Sequence, residues 1–126
     1  QLREALGHPD PVVRGHAALA LGARGEAEAV PALLDMVVAG HRDTDAADTL
    51  GVLASDEATA DRVAGAMTAR LADTGTRAPA RGRLTQALAD IPGPVAARAL
   101  AELSHDEDRA VALTATYLLR LREGTR

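Results

Sequence analysis

Apolar positions in this chain recur three and four residues apart, the spacing of helices that each bury one stripe. The clearest stripe is Val63, Met67 and Leu71, with Ala60 and Ala64 beside it. Arg62 and Arg70 flank that stripe on one side, and Asp61 is expected to face away from it. A helix of this kind needs a partner surface, so the pattern predicts helices packed on helices.

Caps and breakers divide the chain into such helices. A stub over residues 2–6 ends at Gly7. Asp10 is placed to N-cap a helix with Pro11 at its first position, running to about Arg24 before Gly25. The next predicted helices cover about 27–39, stopping at Gly40, then 44–54, and 56–72 opened by Asp56. A further helix spans about 79–91 and is broken by Pro92-Gly93-Pro94, followed by helices over 95–104 and 107–123. The connections are very short, which favours antiparallel hairpins of neighbouring helices.

The hairpins repeat. Gly7-His8-Pro9 and Gly40-His41-Arg42 are each followed by aspartate, at Asp10 and Asp43, and Ser104-His105-Asp106-Glu107 returns to the theme. The three histidines are 33 and then 64 residues apart, one period and close to two. A second series, Leu21, Leu50, Leu88 and Leu118, steps by 29, 38 and 30 residues. Three members of it have an apolar residue three positions on, at Leu53, Ile91 and Leu121; the first has Arg24. Uneven steps place insertions and deletions in the loops, and hairpins in phase stack into a solenoid.

Composition sharpens this reading. Of 126 residues 47% are apolar, 29 of them alanine, and Tyr117 is the only aromatic side chain. Alanine favours helices and their close approach, whereas strands want the β-branched and aromatic residues that are scarce here. An all-α fold follows, an α-α superhelix of about seven helices in roughly three to four repeats. The net charge of −4 and the lack of any long charged run give no nucleic-acid or membrane surface. There is no cysteine, hence no disulfide and no thiolate site. No apolar run approaches the roughly 18 residues of a membrane span, and no signal peptide opens the chain, so a cytoplasmic location is expected. All 14 basic residues are arginine, which points to a GC-rich coding genome and carries no mechanism.

On three segments the chain resembles the HEAT-repeat family, in the short bacterial variety found also in phycobilin lyases. They are Gly7-His8-Pro9-Asp10-Pro11-Val12-Val13-Arg14, then Ala17-Ala18-Leu19-Ala20-Leu21-Gly22, then Glu28-Ala29-Val30-Pro31-Ala32-Leu33-Leu34. Pro94-Val95-Ala96-Ala97-Arg98-Ala99-Leu100 is a weaker echo. The resemblance implies a helical stack whose second helices line a concave binding surface. The chain departs from the pattern at Arg24, where leucine is usual, and in its second unit, which lacks the valine-arginine pair.

Candidate chemistry is sparse. Imidazole beside carboxylate at His8/Asp10, His41/Asp43/Asp45 and His105/Asp106/Glu107/Asp108 has metal-ligand character. Each set, however, lies in a turn opening a helix, where aspartate is favoured as a cap, and successive repeats spread such turns along one edge. No metal and no cofactor is expected. None of the four histidines is followed by glutamate, as the iron site of HEAT-like deoxyhypusine hydroxylases would require, and the basic, aromatic face of HEAT-like DNA glycosylases is missing. Ser55 and Ser104, the only serines, sit beside acidic helix starts and read as caps. Arg62/Arg70 and Arg81/Arg83 read as solvated helix faces able to meet an acidic partner.

The expectation is therefore a non-enzymatic protein-interaction scaffold without catalytic residues. Its partner would be another protein, met along the concave surface by a stripe of Arg62, Ala66 and Arg70. The alternative is a HEAT-like lyase, or an accessory subunit of an enzyme acting on a tetrapyrrole-like ligand. Residues 1–126 read as one repeat domain, part of a longer array or self-associating through uncapped ends, since the final helix carries Val111, Leu118 and Leu121 on one side and Leu119 near another.

Overall fold

The computed structural model describes residues 1–124, and every regular element among them is helical. A four-residue helix α1 (Leu2–Ala5) precedes α2 (Pro11–Ala23), α3 (Val30–Ala39), α4 (Asp43–Leu53) and α5 (Glu57–Ala72). They are followed by α6 (Ala78–Ala87), α7 (Pro94–Leu103) and α8 (Arg109–Gly124). Single 3₁₀ turns at Ala27–Ala29 and Leu88–Asp90 occupy ends that the periodicity assigns to helix. The chain is an all-α helical repeat solenoid.

The caps explain the boundaries. Asp10 accepts a 2.9 Å bond from the Val12 N–H, with Pro11 at the first helical position of α2. Asp56 accepts from the Thr59 N–H at 2.8 Å and opens α5. The last helix starts two residues later than its charge pattern predicts, because Asp108 receives the Ala110 and Val111 N–H groups. Asp43 departs from the expected role: it already lies inside α4, behind Arg42, whose left-handed backbone (φ 45°) lets its Nε reach Asp45. Neither serine caps an acidic helix start. Ser104 follows α7 and donates back to the Ala101 carbonyl, and exposed Ser55 precedes the true cap, Asp56.

The core runs through the stack as one cluster, mainly alanine and leucine with Val37, Val63, Val111 and Ile91, and with Met36 and Met67 as its flexible fillers. Leu21, Leu50, Leu88 and Leu118 are all buried, so the in-phase series marks equivalent core positions. Their i+3 counterparts divide: Leu53 and Ile91 are buried, whereas Arg24 and Leu121 face solvent. Helix α2 packs on α3 and α4, α6 lies against α3, α5 against α7, and α8 closes over α6 and α7. Gly22 makes the α2–α4 approach possible, since a β-carbon there would collide with the Thr49 methyl. That is the physical content of the Ala-Leu-Gly ending of the motif.

Two expectations about helix faces need correction. Asp61 does not face away: it is half-buried, and its Oδ1 is sealed from solvent without a hydrogen-bond partner among the described residues. The carboxylate lies against Gly93, whose φ of 100° and missing β-carbon leave it room at the start of α7. On α8 the buried side is Val111, Ala115 and Leu118, with Leu119 half-buried. Leu121 is instead 48% exposed and joins Leu113 and Tyr117 on an outward stripe.

Candidate binding cleft

Four arginines of this chain bond backbone carbonyls at turns and helix ends. Arg14, the arginine of the valine-arginine pair, donates to the His8 and Pro9 carbonyls at 2.8 and 2.9 Å. Arg83 donates to Val37 O at 2.7 Å and Val38 O at 2.6 Å, tying α6 to the last turn of α3. Arg122 bonds Ile91 O at 2.8 Å and Gly93 O at 3.3 Å. Arg70 reaches Pro31 O at 3.3 Å while pairing with Asp35 at 2.9 Å, which fastens α5 to α3. A planar fork of five donors suits this work better than a lysine ammonium does.

Arg81 is not solvated either. It forms a two-pronged ion pair with Asp106, both bonds 2.8 Å, joining α6 to the turn before α8. Hydrogen bonding by Arg81 holds the Asp106 carboxyl below the usual carboxylate range, against the opposing effect of burial. The same bond raises the Arg81 pKa. Of the two arginine pairs read as exposed faces, Arg81 and Arg83 thus belong to the internal framework.

Around Arg70 and Arg83 the surface opens into a cleft of about 600 Å³ between the end of α3, the α5–α6 turn and α6. Arg77, exposed at the head of α6, supplies a third guanidinium, and Asp73 is the one acidic residue of the lining. Val38, Pro79 and Ala80 provide apolar wall. The Asp73 carboxylate also accepts the Gly75 N–H at 2.8 Å and shapes the turn. The stripe expected on α5 is divided by this geometry. Arg70 lines the cleft, while Arg62 does not; Arg62 is exposed toward the start of α5, near enough to Asp56 to help lower its pKa after the Thr59 hydrogen bonds. Ala66 between them is half-buried and packs on the core.

Sequence reasoning missed Arg77 and Arg83 as cleft residues. The α5–α6 turn, Asp73-Thr74-Gly75, is visible in the sequence, but the meeting of α6 with α3 across more than forty residues is not. The histidine turns stay apart. His8 Nδ1 accepts the Asp10 N–H at 3.0 Å, and among the described residues no three His, Asp or Glu side chains are grouped for a metal.

Residues 1–54 match the family model of HEAT repeats. This N-terminal stretch is made of HEAT repeats. No curated protein and no solved structure gives a match to the sequence. Within the HEAT segment, Asp10, Arg14 and Gly22 occupy the motif positions and perform the capping, carbonyl bonding and close packing described above. No described helix is long and apolar enough to cross a membrane.

Proposed function

We propose that this HEAT-repeat chain is a non-enzymatic protein-interaction scaffold whose partner lies along the surface lined by α3, α5 and α7. The observation that carries the reading is the placement of Arg70. It is tied to the scaffold through Asp35 and Pro31, yet its side chain keeps 30% exposure at the lip of an open cleft. Solenoids bind along such extended faces because each repeat adds one helix to a continuous surface. A lyase for a tetrapyrrole-like ligand would call for aromatic walls. The single aromatic residue, Tyr117, is 63% exposed on α8 and lines neither this cleft nor the 540 Å³ hollow beside Gly93.

The test is affinity capture with mass spectrometry, comparing the wild-type chain with the Arg62→Glu/Arg70→Glu double variant. A stoichiometric partner should be retained by the first and lost by the second, with the melting temperature changed by only a few degrees. Equal capture by both would overturn the placement of the surface on α5.

A second interface is favoured by Leu113, Tyr117 and Leu121, which lie one helical turn apart on α8 and are 60%, 63% and 48% exposed. We propose that this stripe packs against another helix, from a further repeat of a longer array or from a second copy of the chain. Light scattering that finds a monodisperse monomer at high concentration would rule out the second copy.

A further inference from the structure

We infer that the Arg70–Arg77–Arg83 cleft is a docking site for an acidic peptide segment of the protein partner, and that Arg77 is its charged anchor. This rests on the scaffold reading above and adds to it a partner chemistry and a contact residue. Two of the three guanidiniums are held in place before any ligand arrives, Arg83 by the Val37 and Val38 carbonyls and Arg70 by Asp35 and Pro31 O. Ordering them in advance removes part of the entropic cost of binding. Arg77 differs from both, being an exposed lining residue whose side chain bonds no residue among those described, so its guanidinium donors are open to a ligand.

The charge balance decides the sign of the ligand. Three arginines and one aspartate line the cleft, and with Asp35 paired to Arg70 one positive charge remains in excess, so the cleft is a local basic site on a chain whose net charge is −4. A carboxylate drawn there gains from Arg77 and is steered away from the acidic remainder of the surface. The apolar wall decides the class. Val38, Pro79 and Ala80 offer contact area that a bare anion cannot use, whereas a peptide carrying carboxylates beside an aliphatic side chain uses both. The volume of about 600 Å³ lies within the range of pockets that take a drug-sized group, enough for a short stretch of such a peptide.

The probe is a fluorescein-labelled decapeptide of alternating glutamate and leucine, titrated into the ¹⁵N-labelled 126-residue chain in 50 mM salt. A lysine-for-glutamate counterpart and inorganic phosphate serve as comparisons. The acidic peptide should shift the amides of Thr76, Arg77 and Ala80, bind more weakly as salt is raised, and outbind the lysine peptide. Arg77→Glu should weaken it by about tenfold and leave the melting temperature unchanged, and Arg77→Lys should lie between the two. Equal binding to Arg77→Glu, shifts confined to α8, or the same shifts with millimolar phosphate alone would overturn the assignment; the last would make the cleft a simple anion site. The two readings fail separately. A captured partner that is lost with Arg62→Glu/Arg70→Glu but indifferent to Arg77→Glu keeps the scaffold and overturns Arg77 as its charged anchor.

Discussion

Helices α5 and α8 are each sixteen residues long and differ chiefly in where they sit in the stack. Helix α5 buries Ala60, Val63, Ala64, Met67 and Leu71 and turns Arg62, Gly65 and Ala69 to solvent. Helix α8 buries only Val111, Ala115 and Leu118 and shows Leu113, Tyr117 and Leu121 to water. Apolar residues on an inner helix of a solenoid are matched to its neighbours, while those on an outer helix reveal the face on which another element would stack. Leaving such a stripe in water forgoes about 25 cal/mol for each Å² of apolar area. The contrast separates two kinds of surface: a polar one on α5, beside a preorganised cleft, and an apolar one on α8.

The sharpest way to break the comparison is to truncate the buried side of α5. Met67→Ala should cost roughly 2–5 kcal/mol in urea unfolding, because Met67 is fully enclosed and the cavity cannot close completely. A loss below about 1 kcal/mol would mean that α5 is not part of the core. Next in size is Asp106→Asn, which breaks the half-buried pair with Arg81 and should cost roughly 1.5–3 kcal/mol at neutral pH. The folded pKa of Asp106 is depressed, so the wild type holds this stability above the ordinary carboxylate value near about 4 and loses it as pH falls through the folded value. The difference between wild type and variant should therefore shrink in acid, and a constant difference would contradict the charge-based account.

Smaller again is Arg70→Ala, where a largely exposed ion pair with Asp35 predicts a loss of at most about 1 kcal/mol. A loss as large as that of Met67→Ala would show Arg70 to be structural and unavailable to a partner. Smallest is Tyr117→Ser on α8, expected to fall within about 0.5 kcal/mol of wild type in thermal unfolding while reducing self-association in light scattering. A loss comparable to Leu118→Ala would place Tyr117 in the core and dissolve the contrast between the two helices.

Much of the fold was legible from local chemistry. Asp10, Asp56, Gly40 and the Pro92-Gly93-Pro94 break act within a few residues of themselves, so the helix ends they set were readable. The buried stripe of α5 followed from spacing alone, because a 3.6-residue period leaves one face for the core. Asp61 escaped that logic: its position on the helical wheel borders the stripe, and only the arrival of Gly93 from α7 encloses it. Leu121 escaped it in the opposite direction, since a leucine near the edge of a stripe is buried only where a neighbour covers it.

The arginines draw the same line between sequence and structure. Their number and the absence of lysine are plain in the chain, but a guanidinium chooses among acceptors by distance, and those distances span elements far apart in sequence. Arg83 meets Val37 and Val38 only because α6 lies along α3, and Arg81 meets Asp106 only because α8 folds back over α6. By itself the sequence determined an all-α repeat, its helix ends and the equivalent core leucines, because periodicity, capping and turn chemistry are local. Tertiary structure alone decided which arginines became framework and which remained free to meet a ligand, because that depends on where stacked helices bring carbonyls and carboxylates within hydrogen-bond reach.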